Sequence, residues 1–236
     1  MGKILCRNSG AIISKVFKQL IQKCTIIFTK NTDTVINDEL RAYLSLIIIT
    51  QLLRTPKSRS FRYNISERRF PVIMKRISRD LQGYDLSDEQ QEVLENITLD
   101  DIFKRIDMNL VVDNDRIEKF SRFLFNKIWV IYRNEDYETN PFVTSDNPVV
   151  QYNMSNKSTT LSDNGICNPN TVMSFPINSR LILSLYDRNN IIWKNIKGYD
   201  GRIVFLNDRL DSNYVMKMNK LQYEQCTQQI YFCLGK

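Results

Sequence analysis

The stretch Lys127-Ile128-Trp129-Val130-Ile131-Tyr132-Arg133 divides this chain. Ile128 to Tyr132 are all β-branched or aromatic, the composition of a strand. Upstream, from Ala11 to Asn134, the only breakers are Pro56, Pro71 and Gly83. Downstream, Glu135 to Gly201 holds four prolines, three glycines and eleven asparagines. A helical first half therefore passes into a strand-and-turn second half. The expected class is α+β. A helical region, residues 1–126, packs on a mostly antiparallel sheet within residues 127–236, with a late helix on that sheet, as one integrated domain.

Outward from the dividing strand, the pattern predicts particular elements. Ala11 to Phe28 repeats apolar residues at helical spacing. Asn37 to Thr55 is a second helix, with Asp38 and Glu39 in its first turn, and Pro56 ends it. Ser87-x-x-Gln90 and Thr98-x-x-Asp101 are capping-box starts, and Arg116 to Asn126 follows Asp113 as a further helix. On the other side, Phe142-Val143-Thr144 and Val149 to Tyr152 flank a turn at Asp146-Asn147-Pro148. Strands are expected at Leu181 to Tyr186, Asn190 to Trp193 and Arg202 to Leu206. Asp211 caps a helix to about Gln225, and Gln229 to Leu234 closes the sheet.

The 236 residues include 33 Lys and Arg, 26 Asp and Glu, and no histidine, for a net charge of +7. Without histidine there is no Ser-His-Asp or Cys-His catalysis and no HExxH zinc site. Chemistry is left to carboxylate, Arg, Lys, Tyr, Cys and Ser. The cysteines are Cys6, Cys24, Cys167, Cys226 and Cys233, an odd number with no CxxC pair. That usage points to a reducing compartment, the cytoplasm. The greasiest run, Leu44 to Leu53, holds Ser45, Thr50 and Gln51 and is about half a bilayer span, so no membrane partner is expected.

Charge is laid out in blocks. Arg54, Lys57, Arg59, Arg62, Arg68, Arg69, Lys75, Arg76 and Arg79 stand against a single acid, Glu67, for a net +8. Asp80 to Asp101 then carries eight acids and no base. Lys57, Arg59, Arg62, Arg68 and Arg69, interleaved with Phe61, Tyr63 and Phe70, suit a phosphate or nucleic-acid surface. The competing reading, favoured by the adjacency of the blocks, sets them face to face as antiparallel helices. Counterion release needs unpaired cations, and an internal partner removes them.

Leu40, Leu44, Ile47, Gln51 and Arg54 recur at 4-3-4-3 spacing, one stripe of a helix. Three apolar members predict that the stripe faces the core, so Gln51 and Arg54 continue it as buried polar groups. A buried guanidinium needs an anionic or carbonyl partner. The internal candidate is Asp146, in the turn Thr144-Ser145-Asp146-Asn147-Pro148. In the other reading Asp146 bonds only the amides of its own turn.

The chain resembles the bacterial family called domain of unknown function 4238. The matching pieces come in order: Gln51-Leu52-Leu53-Arg54-Thr55-Pro56, then Trp129, then Phe142-Val143-Thr144-Ser145-Asp146-Asn147-Pro148-Val149. Phe175-Pro176-Ile177-Asn178, the strand Leu181 to Leu185, Met218-Asn219 and Ile230-Tyr231 complete the set. The resemblance implies that Gln51, Arg54, Ser145, Asp146, Asn147 and Asn219 are pattern positions, and it implies no reaction. Members of that family begin with a segment carrying His-x-x-Pro, so the resemblance also implies that this chain starts after that segment, as a truncated version.

The expected function is a binding or structural module built around the Arg54–Asp146 polar site. The alternative is a metal-dependent nuclease or phosphohydrolase in which Asp146 and substrate phosphates hold a divalent ion such as magnesium. None of the sixteen lysines has Asp or Glu two residues before it, which argues against the PD-(D/E)xK class. No glycine-rich phosphate loop is present, and the residues identify no cofactor and no metal ligand set.

Overall fold

The structure, a computed structural model, describes residues 36–190, 194–207 and 209–232, together with residues 19, 22, 25, 26 and 28. Apart from those five positions, the helix expected over Ala11 to Phe28 lies outside the described residues. So do residues 191–193 of the strand expected at Asn190 to Trp193, and the end of the chain from Cys233.

Five helices run from Asp38 to Phe125. α1 spans Asp38–Arg54 and is capped by Asn37, whose side-chain oxygen accepts the Leu40 amide at 2.9 Å. α2 spans Pro56–Asp80. Thr55 separates the two in an extended conformation and serves both, closing α1 and accepting the Ser58 amide with its hydroxyl. Pro56 stands at the first helical position, where its missing N–H costs nothing. α3 (Asp88–Asn96) and α4 (Leu99–Val112) begin with capping boxes at Ser87 and Thr98. α5 is Asn114–Phe125, capped by Asp113.

The second half supplies seven strands: β1 Ile128–Asn134, β2 Thr144–Ser145, β3 Val150–Asn153, β4 Thr171–Pro176, β5 Leu181–Tyr186, β6 Arg202–Leu206 and β7 Ile230–Tyr231. A 3-10 turn, Lys194–Tyr199, precedes β6, and helix α6, Arg209–Gln225, follows it. The main sheet has the order β3-β4-β5-β1-β6. Its pairings are antiparallel except that of β1 with β6, which is parallel. The class is α+β. The closing strand does not join this sheet: β7 is shorter than expected and pairs with β2 as a separate two-stranded ribbon.

Both faces of the sheet are covered, which explains why β1 and β5 read as nearly continuous apolar runs. Trp129 and Ile131 of β1, Met173 and Phe175 of β4, and Leu181, Leu183 and Leu185 of β5 share one face. They form one core with Leu44, Ile48, Ile49, Leu52 and Leu53 of α1 and Leu124 of α5. The alternate residues Val130, Tyr132, Val172, Ile182 and Tyr186 pack with Val215, Met218 and Leu221 of α6. Burying each large apolar side chain contributes about 1.5–3 kcal/mol, so this double interface holds the strands in register. Among the described residues, no helix is long and apolar enough to cross a membrane.

Candidate functional site

Three side-chain amides of α6 stand three residues apart, at Asn219, Gln222 and Gln225, and so line one side of the helix. Each holds backbone of the segment that leads from β1 into β3. Asn219 accepts the Val143 amide at 2.9 Å and donates to the Pro141 carbonyl at 2.8 Å. Gln222, fully buried, donates to the Pro148 carbonyl at 2.9 Å and accepts the Ser145 hydroxyl at 2.8 Å. Gln225 donates to the Gln151 carbonyl at 2.8 Å and accepts the Gln151 amide at 3.2 Å. An irregular segment buried against a helix must satisfy its backbone groups, and these amides do so.

The Ser145-Asp146-Asn147 turn is thereby fixed to the chain end beyond α6. Asp146 accepts the amides of Thr227 at 3.0 Å and Gln228 at 2.9 Å, one on each carboxylate oxygen. Its own amide donates to the Gln229 carbonyl at 3.0 Å. Asn147 donates to the Gln225 carbonyl at 3.0 Å and the Thr227 hydroxyl at 2.8 Å, and accepts the Lys57 amide at 3.3 Å. The backbone amides that Asp146 binds therefore belong to the distant tail, and within its own turn it accepts the Asn147 side-chain amide at 3.4 Å.

The expected Arg54–Asp146 pair is not formed. Arg54 is exposed, and its side chain makes no ion pair or hydrogen bond among the described residues. The physical reason is rotation of α1: its buried face is Arg41, Leu44, Ser45, Ile48, Ile49, Leu52 and Leu53. Gln51 sits half-buried at the margin of that face, and Arg54 falls outside it. Ser145, Asp146, Asn147 and Asn219 do come together, but around Gln222 and Gln225 instead of Arg54 and Gln51. The three-residue steps from Asn219 to Gln222 and from Gln222 to Gln225 are the sequence signal that marks them.

The charged blocks are not face to face either. Arg59 and Arg62 both pair with Asp107 of α4, Arg59 at 3.4 Å, and Tyr63 donates to Asp100 at 3.1 Å. These contacts hold α4 antiparallel against the first turns of α2. Within the Asp80 to Asp101 acidic block, the one ion pair among the described residues is Asp80 with Arg76, four residues back on the same helix. The rest of α2 separates its residues by face. Ser66, Phe70, Met74 and Ile77 are half-buried on one side. Arg68, Arg69, Val72, Lys75, Arg76 and Arg79 are exposed on another, within about a third of the circumference. Of those cations, Arg68, Arg69, Lys75 and Arg79 have no ion pair among the described residues.

Lys57 behaves differently from the exposed cations. Its ammonium is half-buried and donates to two neutral oxygens, Gln225 Oε1 at 2.9 Å and the Thr159 carbonyl at 3.2 Å. Burial pushes its pKa below the ordinary lysine value. For the divalent-metal alternative, no group of three Asp, Glu or Cys side chains among the described residues is placed to hold an ion.

No curated protein and no solved structure matches this chain. One family does, over residues 11–235, nearly the whole length of the sequence. The chain thus belongs to the family described as Protein of unknown function (DUF4238).

Proposed function

We propose that this protein is a non-catalytic binding module of the cytoplasm that takes the phosphate backbone of nucleic acid along the exposed basic stripe of α2. One observation carries the reading. Arg68, Arg69, Lys75, Arg76 and Arg79 share one helix face, and four of the five have no acidic partner among the described residues. From position 68 to 79 the stripe is about 17 Å long at the α-helical rise. Phosphates of one duplex strand advance about 3.4 Å each along the duplex axis, so roughly five fall within that length. Val72, 69% exposed at the middle of the stripe, adds an apolar contact for sugar or base.

Of the five cations singled out by sequence, only Arg68 and Arg69 belong to this stripe. Arg59 and Arg62 are committed to Asp107. The polar cluster of Ser145, Asp146, Asn147 and Asn219 is a scaffold in this reading, because its donors and acceptors are spent on backbone. That also weighs against Asp146 as the centre of a metal-dependent nuclease.

The test is binding of labelled single- and double-stranded oligonucleotides, read by fluorescence anisotropy. Wild type binds both without sequence preference, and the R68E/R69E double variant, altered only at exposed positions, loses binding by tenfold or more. Unchanged affinity in the double variant rejects the stripe.

A further inference from the structure

We infer that the cleft between the start of α2 and the end of α6 is a second, separate site, built around Lys57 to hold a single small oxyanion such as a phosphate group. The cleft, about 410 Å³, is lined by Pro56, Lys57, Ser60, Glu224, Gln225, Cys226 and Thr227.

Three donors converge there with capacity to spare. The Lys57 ammonium has three N–H groups and spends two, on Gln225 and Thr159. The Thr227 hydroxyl accepts from Asn147 at 2.8 Å, which leaves its own proton to donate. The Ser60 hydroxyl is exposed and makes no hydrogen bond among the described residues. An ammonium and a hydroxyl from α2 and a second hydroxyl from the segment after α6 line one cleft and match the oxygens of a tetrahedral anion.

The electrostatics demand an anion. No carboxylate lies within ion-pair distance of Lys57 among the described residues. Glu224, on the cleft wall, is turned to Lys220 at 3.7 Å. A half-buried ammonium held only by neutral oxygens has lost water without gaining a countercharge, and its lowered pKa reflects that loss. A bound oxyanion supplies the missing charge. The cleft is independent of the α2 stripe: Lys57 lies three turns before Arg68, and its ligand is one group and not a polymer.

The experiment is thermal unfolding in inorganic phosphate against chloride at matched ionic strength, with wild type, Lys57→Met, Ser60→Asp and R68E/R69E. Wild type and R68E/R69E gain Tm with phosphate and saturate, as binding to the folded state alone requires. Lys57→Met removes the charge, and Ser60→Asp places a carboxylate on Lys57 without touching its scaffold bonds. Both raise the apparent Kd for phosphate at least tenfold, and Ser60→Asp raises Tm in the absence of phosphate. Should Lys57→Met not fold, Ser60→Asp decides alone. An equal Tm gain in chloride, or wild-type phosphate response in Ser60→Asp, overturns the site. Wild type that responds to phosphate but binds no oligonucleotide removes the stripe and leaves the cleft; wild type that binds oligonucleotide but shows no phosphate response removes the cleft alone.

Discussion

Arg41 Nη2 lies 3.0 Å from Asp200 Oδ1, and this pair joins a buried guanidinium of α1 to a half-buried carboxylate of the second half of the chain. Arg41 also donates to the Lys127 carbonyl at 3.3 Å and lies over the Trp129 ring, 5.6 Å from its centroid. Asp200 in turn accepts the Trp129 amide at 2.9 Å and Arg188 at 2.7 Å. The contact therefore pins the first residues of β1 under α1. Replacing Arg41 with alanine removes this pair and the carbonyl contact while Asp200 keeps Arg188 and the Trp129 amide, and it costs about 1.5–3 kcal/mol, the range for hydrogen bonds to charged groups. Chemical denaturation of Arg41→Ala measures it, and a loss below about 1 kcal/mol contradicts the assignment.

The same carboxylate sets a pH dependence. Burial pushes the Asp200 pKa up, but the Trp129 amide and the Arg41 and Arg188 guanidiniums outweigh it and hold the pKa below the ordinary 3.8. A carboxylate with a depressed folded pKa contributes stability that is present above the unfolded value and lost as pH falls through the folded one. Wild type is expected to lose Tm below about pH 4, and Asp200→Asn to start lower and change less over the same range. Parallel curves for the two proteins contradict the linkage.

Asp146 and Arg54 make a contrasting pair. Asp146→Ala removes the acceptor of two tail amides and is expected to cost about 1–3 kcal/mol. Hydrogen exchange at the Thr227 and Gln228 amides should accelerate with it. Arg54→Ala, at an exposed position, should stay within about 0.5 kcal/mol of wild type. A severe Arg54→Ala with a mild Asp146→Ala reverses these two roles.

Four tyrosines gather beneath α6. Tyr132 and Tyr186 share a hydrogen bond at 2.9 Å, and Tyr214 bonds Ser184 at 2.9 Å. Burial pushes the pKa values of Tyr132, Tyr152, Tyr186 and Tyr214 up, that of Tyr152 to about 12. The unfolded chain releases these protons near the ordinary value of 10, so stability is complete below that pH and lost as pH rises from there towards about 12. Ultraviolet titration should show the four phenols ionising only with unfolding, after the exposed tyrosines. All tyrosines titrating together near pH 10 in a folded protein contradicts their burial.

How much of this was legible follows element by element. The capping boxes at Ser87 and Thr98 and the strands around Trp129 and Leu183 are local signals, and they stand where the residues put them. The buried face of α1 was not legible, because Leu40, Leu44, Leu46, Ile47, Ile48, Ile49, Leu52 and Leu53 are apolar almost all round and name no single face. The helical character of the basic block was legible, but the bounds of α2 were hidden by its prolines. Pro56 both follows the end of α1 and starts α2, and Pro71 is tolerated in a helix with no buried residue, where water can satisfy the carbonyl it orphans. β4 carries Met173 and Ser174 inside a six-residue run and lacked the alternation that marks a strand. Asp146 looked like a partner for arginine because only tertiary structure brings residues 227 and 228 beside it.

The salt dependence of oligonucleotide binding tests the functional account most directly. Five phosphate contacts predict a slope of log K against log salt of about −4.5 for duplex and about −3.5 for a single strand. R68E/R69E should bind more weakly and lower the magnitude of the duplex slope by about 2. Binding that is absent at low salt, or a slope and affinity that the double variant leaves unchanged, contradicts a phosphate-binding role for α2.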